Sequence, residues 1–239
     1  MFNRSFMAVS NVKKELLKNR NKEQAKHLSG FFKTGKGQYG EGDVFLGIKV
    51  PVQREIVKKF KDAELKEIQE LLNDEFHECR LTGLLILVNK YKNSENKREI
   101  FDFYLKNTKR INNWDLVDLS APNIVGSFLL DKKKERKILY SLVKSKNLWE
   151  RRIAVLSAFS FLRNNDHEDI LKIAEILLKD EHDLIHKAVG WMLREVGKRD
   201  KEVEVSFLKK YYQKMPRTML RYAIEKFNDR ERKFFMKKQ

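Results

Sequence analysis

Each of the three tryptophans in this sequence stands within one helical turn of an ionisable side chain. Trp114 precedes Asp118 by four residues and Trp149 precedes Arg152 by three. Trp191 lies between Lys187 and Arg194, at spacings of four and three. Residues three and four apart share a helix face, so the spacings describe an aromatic–acid pair and a stripe of cation, aromatic and cation. Aromatic faces between cations suit the flat surfaces of sugars and bases. Trp149 stands ahead of a charged first turn and is expected in the core, because buried tryptophan is common where helices meet.

Other chemistry is less well supported. The five histidines are scattered, and His182 and His186, four apart, lack carboxylates at matching spacing, so a solvated face is expected rather than a metal site. Ser157 and Ser160 have no acid or histidine at a motif distance, which argues against a serine hydrolase. The stretch Gly35-Lys36-Gly37-Gln38-Tyr39-Gly40-Glu41-Gly42-Asp43 lacks the Gly-Lys-Ser/Thr ending of a phosphate-binding loop and any preceding strand. It reads as a flap over a ligand or duplex, or as a plain connection. No metal or cofactor is expected.

These side chains need elements to hold them, and the breakers outline those elements. Six of the ten glycines fall between Gly30 and Gly47, and the only prolines are Pro51, Pro122 and Pro216. One glycine-rich loop over 34–47 therefore follows an N-terminal helical segment. Apolar residues then recur at helical spacing, as in Leu65-Ile68-Leu71-Leu72, Val155-Ala158-Phe159-Leu162 and Ile170-Ile173-Leu177. Alternating strand-like runs are missing. Polar clusters such as Asn93-Ser94-Glu95-Asn96 and Asn164-Asn165-Asp166 separate helices of about 10–16 residues.

Comparable positions recur along the chain. Arg80, Asp118, Arg152, Lys187 and Arg221 each sit near the start of the second helix of an expected pair, at separations of 38, 34, 35 and 34 residues. That period is the mark of stacked helical pairs. The fold expected is all-α, an α-solenoid of HEAT-like helical-pair repeats forming one domain over 1–239. Second helices generally line the concave side, which places four cations and one acid, Asp118, along one groove. The chain carries 51 Lys+Arg against 34 Asp+Glu, a net charge of +17. Such a surplus opposes compactness unless a polyanion uses it, and nucleic acid is the first candidate. Cations at this spacing would track phosphates without reading sequence.

Residues 1–10 hold no long apolar stretch, no apolar run approaches membrane-spanning length, and the stretch 81–88 is too short to span a bilayer. The single cysteine, Cys79, points to a reducing compartment. A soluble, cytoplasmic, monomeric protein with no membrane partner is expected.

Four motifs in order resemble one family. They are Phe45-Leu46-Gly47-Ile48-Lys49-Val50-Pro51, Asn113-Trp114-Asp115-Leu116-Val117-Asp118, Trp149-Glu150-Arg151-Arg152-Ile153-Ala154, and Lys187-Ala188-Val189-Gly190-Trp191-Met192-Leu193-Arg194-Glu195. Together, over about 25–227, they are similar to the AlkD-type DNA alkylation-repair glycosylases. The resemblance implies a C-shaped repeat stack that excises positively charged N3- and N7-alkylpurines from duplex DNA. It implies Asp118 as the catalytic aspartate, with Trp114 and Trp191 packing against the damaged nucleotide's deoxyribose. It implies Arg152 on the lesion strand and Arg194 on the backbone, to which the cation–aromatic stripe adds Lys187. Two departures stand out: Asn113 replaces a second tryptophan, and the Phe31–Phe32 region replaces a lesion-contacting tyrosine. Two readings compete with this one, a non-catalytic HEAT-repeat module that binds DNA or RNA and a solenoid for an acidic protein.

Overall fold

A computed structural model of the chain describes residues 4–237, and the side chains of residues 1–10 lie outside the described residues. Among the described residues the only extended pairing is an isolated parallel bridge between Val44 and Phe76, and the rest of the regular structure is helical. The all-α fold of HEAT-like helical pairs expected from the sequence is the one observed. No helix of the described residues is long and apolar enough to cross a membrane. The chain divides into two compact units, Met1–Ser120 and Ala121–Gln239.

The first unit holds α1 (Arg4–Lys18), α2 (Lys22–Phe31), α3 (Val50–Lys59), α4 (Leu65–Asn73), α5 (His77–Asn93), α6 (Lys97–Lys106) and α7 (Trp114–Ser120). Helix α5 is its axis and packs against α1, α3, α4, α6 and α7. A helix apolar on one stripe sits at a surface, whereas one apolar all round is buried. Leu81, Leu84, Ile86, Leu87 and Val88 point to several sides of α5 and are all buried. Each contributes roughly 1.5–3 kcal/mol by leaving water. Ile68, Leu71 and Leu72 close against it from α4.

The loop between α2 and α3 is tied to α5 at its C-terminal end. The buried carboxylate of Glu78 accepts the backbone N–H groups of Leu46 (2.9 Å), Gly47 (2.8 Å) and Ile48 (3.1 Å). Three successive N–H groups converge on one anion only where the chain curls back on itself. Gly47 allows this with φ +86, and a Cβ there would stand 2.0 Å from the Asn21 carbonyl oxygen.

The second unit opens with a π-helical turn, Pro122–Gly126. It continues through α8 (Ser127–Leu129), α9 (Lys137–Leu142), α10 (Leu148–Leu162), α11 (Glu168–Ile176), α12 (Asp183–Gly197), α13 (Lys201–Tyr211), α14 (Arg217–Ala223) and α15 (Asp229–Met236). Helix α10 is the counterpart of α5, buried from Ile153 to Ala158 and packed against α9, α11 and α12. Trp149 is buried at its start, as expected. Helices α12 and α14 approach closely at Gly190, where a Cβ would stand 2.4 Å from the Met219 carbonyl oxygen. Helices α7 and α14 are seven residues each, shorter than the 10–16 expected. In α7 the regular pattern ends just before Pro122, which has no N–H to donate and crowds the preceding turn.

Candidate functional site

Helix α7 carries the acid singled out by the sequence. Leu116, Val117 and Ser120 form its buried face, while Trp114, Asp115, Asp118 and Leu119 form a half-buried face. Trp114 and Asp118 lie one turn apart on that second face. Both ends of the helix are fixed. At the C-terminal end the Ser120 hydroxyl donates to the Leu116 carbonyl (2.5 Å) and lies 2.9 Å from the buried Tyr104 hydroxyl. Burial pushes that phenol above its ordinary pKa, and the nearby Asp118 charge acts in the same direction.

The N-terminal end is held by a buried polar cluster. Asn113, fully buried, accepts the Trp114 N–H (2.9 Å) and donates to Asp43 Oδ2 (2.9 Å). Asn112 donates to Asp43 Oδ1 at 3.3 Å. Arg80 donates to the same oxygen at 2.5 Å and to the carbonyls of Asp74 and Glu75. His77 stands between two acids, Nδ1 at 3.2 Å from Asp43 and Nε2 at 2.8 Å from Asp115. Burial alone would lower the His77 pKa, but Asp115 and Asp43 outweigh it and raise it to about 9. Burial would raise the Asp43 pKa, but His77, Arg80 and Asn113 hold it below the ordinary carboxylate value.

Aromatic rings cover this cluster. Trp114 stacks on Phe32 (centroids 5.3 Å apart) and meets Phe31 edge-on at 6.0 Å. Phe32 also lies against Phe45 and His77, both at 5.1 Å. Phe32 is buried while Phe31 is 58% exposed, so the two residues at the tyrosine departure split the work of packing and presentation. A cleft of about 310 Å³ opens here, lined in part by Phe31, Phe32, Phe45, Pro51, His77 and Asp115.

In the second unit, Lys187, Trp191 and Arg194 share one half-buried face of α12. Lys187 pairs with Asp183 at 2.7 Å, and Arg194 pairs with Glu225. Trp191 meets Phe159 of α10 at 5.9 Å, and the Arg163 guanidinium lies over that phenylalanine at 4.4 Å. Arg152 is buried and donates to the Leu184 carbonyl at 2.6 Å. Arg221 is exposed on α14.

The five recurring positions are each the fourth or fifth residue of α5, α7, α10, α12 and α14. Their surroundings differ. Arg80 and Arg152 are each 5% exposed and bind protein groups, whereas Arg221 reaches solvent. Sequence reasoning missed His77, Asp43, Asp115 and Glu78. Their partners lie about 30–70 residues away, so no local spacing marks them. Phe159 and Arg163 were findable, being four apart at the C-terminal end of α10. His182 and His186 do not form a metal pair: His182 Nδ1 accepts the Leu184 N–H, and His186 Nε2 lies 2.5 Å from the Asp180 carbonyl.

The model of the DNA alkylation repair enzyme family matches residues 12–227. A solved structure, a predicted DNA alkylation repair enzyme from Enterococcus faecalis, has the same fold with a TM-score of 0.73 at 19% identity. That match covers 88% of this chain and 98% of the other. No curated protein matches.

Proposed function

Because the chain belongs to the DNA alkylation repair enzyme family, we propose that it is a monofunctional DNA glycosylase removing cationic N3- and N7-alkylpurines from duplex DNA. The observation that carries this reading is the pairing of Trp114 and Asp118 on the half-buried face of a helix fixed at both ends.

An alkylated purine already bears positive charge, so the base departs with the bonding electrons without needing a general acid. The sugar left behind becomes oxocarbenium-like. A fixed carboxylate beside it stabilises that charge, and it accepts a proton from the water that adds to the sugar carbon. A tryptophan face on the same sugar contributes about 0.5–2 kcal/mol. Since the charge grows towards the transition state, both contacts favour it over the bound substrate. One acid then suffices, and we assign that role to Asp118 with Trp114 beside it. Trp191 is assigned to the deoxyribose as a second aromatic face. Lys187, Arg194 and Arg221 are assigned to phosphates, and Arg80 and Arg152 to holding the elements that carry the others.

Asp118→Asn keeps the shape of the side chain and removes its charge. The expected result is unchanged duplex binding with release of 7-methylguanine from methylated DNA reduced at least about a hundredfold. Normal release by this variant would remove Asp118 from the mechanism. Duplex binding with no release by the wild-type protein would favour a non-catalytic nucleic-acid-binding module.

A further inference from the structure

His77 is 2% exposed, and each of its ring nitrogens faces a carboxylate oxygen. An ionised carboxylate only accepts hydrogen bonds, so both nitrogens donate and the ring is an imidazolium. Its two acids come from different places. Asp43 belongs to the glycine-rich loop and also binds Arg80, Asn112 and Asn113. Asp115 is the second residue of α7.

The residues on either side of Trp114, Asn113 and Asp115, are thus both held by this cluster. The ring on which Trp114 stacks, Phe32, itself rests on the imidazole. An isolated helix of seven residues does not persist in water, so α7 depends on such anchors. Asp118 lies one turn beyond the anchored residues.

We propose that His77 is a positioning residue for excision: clamped between Asp43 and Asp115, it fixes the start of α7 and thereby sets the Trp114 ring and the Asp118 carboxylate. The functional consequence rests on the glycosylase reading, whereas the positioning does not. The charged groups around the ring are Asp43 of the loop, Asp115 of α7, and Arg80 and Glu78 of α5. Glu78 is turned to the three backbone N–H groups of residues 46–48. If His77 loses its proton, one ring nitrogen becomes an acceptor facing a carboxylate. One of the two carboxylates must then let go, and Asp43 keeps Arg80 and Asn113. The released partner is therefore Asp115, at the start of α7. With the His77 pKa raised to about 9, release falls near that pH.

Two measurements on the full chain test this. Tryptophan emission is titrated from pH 6 to 9.5 in wild type and in Trp114→Phe, and their difference isolates Trp114. A transition near pH 9 is expected in wild type and none in a His77→Gln background. Single-turnover release of 7-methylguanine is then followed over the same range. His77→Gln should slow release about tenfold to a hundredfold, leave duplex affinity within about twofold, and lose the decline that wild type shows near pH 9. A flat Trp114 signal in wild type, or a His77→Gln variant matching wild type in rate and pH profile, overturns the proposal. If His77→Gln does not fold, Asp115→Ala removes the acceptor on the α7 side of the clamp and must show the same losses, and normal behaviour there is equally fatal. A Trp114 transition in a protein that releases no base leaves the positioning standing and removes the glycosylase reading instead.

Discussion

Basic residues that look alike in the sequence do different jobs once folded. Arg80 lies at the centre of a buried cluster, with Asp43 at 2.5 Å and two carbonyls on its other nitrogen. Removing it would leave the Asp43 carboxylate short of its closest donor, and breaking a buried pair in this way costs about 3–5 kcal/mol. Lys187 and Arg194 instead form ion pairs with Asp183 and Glu225, whose side chains are 55% and 50% exposed. Exposed pairs of this kind contribute little to stability, so these cations can exchange a carboxylate for a phosphate. Arg80→Ala should therefore lower the denaturation midpoint sharply. Lys187→Ala should leave it almost unchanged, and Arg194→Ala, which removes a side chain only 16% exposed, should lower it by less than Arg80→Ala. The Lys187 and Arg194 variants should both weaken duplex binding, each lowering the salt slope by about 0.9 for every phosphate no longer neutralised. Salt titrations of binding beside urea melts separate the two classes. An unchanged slope would assign Lys187 and Arg194 to their carboxylate partners alone.

Among the elements, α12 fits closely against α14. Gly190 lets it approach α14 so closely that an added methyl would stand 2.4 Å from the Met219 carbonyl oxygen and 2.5 Å from the Tyr222 Cβ. Backbone cannot move aside as a flexible side chain can, so Gly190→Ala should destabilise the protein by about 1–3 kcal/mol. Thermal melts of the variant check this, and a melt equal to wild type would mean that α14 shifts freely. Helical content, the order of the elements and the recurring position near the start of each second helix were legible in the sequence, because period and breakers are local signals. So was the Trp114–Asp118 pair, four residues apart on one helix. Burial was not: nothing in the local pattern distinguishes Arg80 and Arg152 from Lys187 and Arg221. The cluster around His77 was equally hidden, since it joins residues 43, 77, 80, 113 and 115 only after folding. Asn113 reads in the sequence as the loss of a tryptophan, whereas in the structure it caps α7 and binds Asp43.

For the molecule as a whole, two groups tie stability to pH in the same direction. Glu204 is 2% exposed, and burial raises its pKa to about 8 from 4.5, although Lys201 and Arg194 oppose the shift. A raised folded pKa stabilises fully below the unfolded value and less as pH rises towards the folded one. The contribution of Glu204 is thus lost between about 4.5 and 8, and that of His77 between 6.5 and about 9. Asp43, Asp166 and Glu195 have lowered pKa values, so their contributions are lost as pH falls below the ordinary carboxylate range. Acid also adds to a charge that is already +17 at pH 7. The melting temperature should therefore peak near about pH 4.5 and fall towards pH 9, more steeply above about 6.5. Glu204→Gln should flatten the decline below about pH 8 and His77→Gln the decline above 6.5, as calorimetry at stepped pH can show. A melting temperature that rises from pH 6 to 9 would contradict both assignments. The His77 cluster also has a consequence in time. Its members leave the ribosome in the order Asp43, His77, Arg80, Asn113, Asp115. Until Asp115 follows, Asp43 is the only carboxylate bound to His77, and Arg80 holds the same acid. Asn113 and Asp115 are therefore the last members to be made, and the stretch with Trp114 and Asp118 follows the residues that hold it.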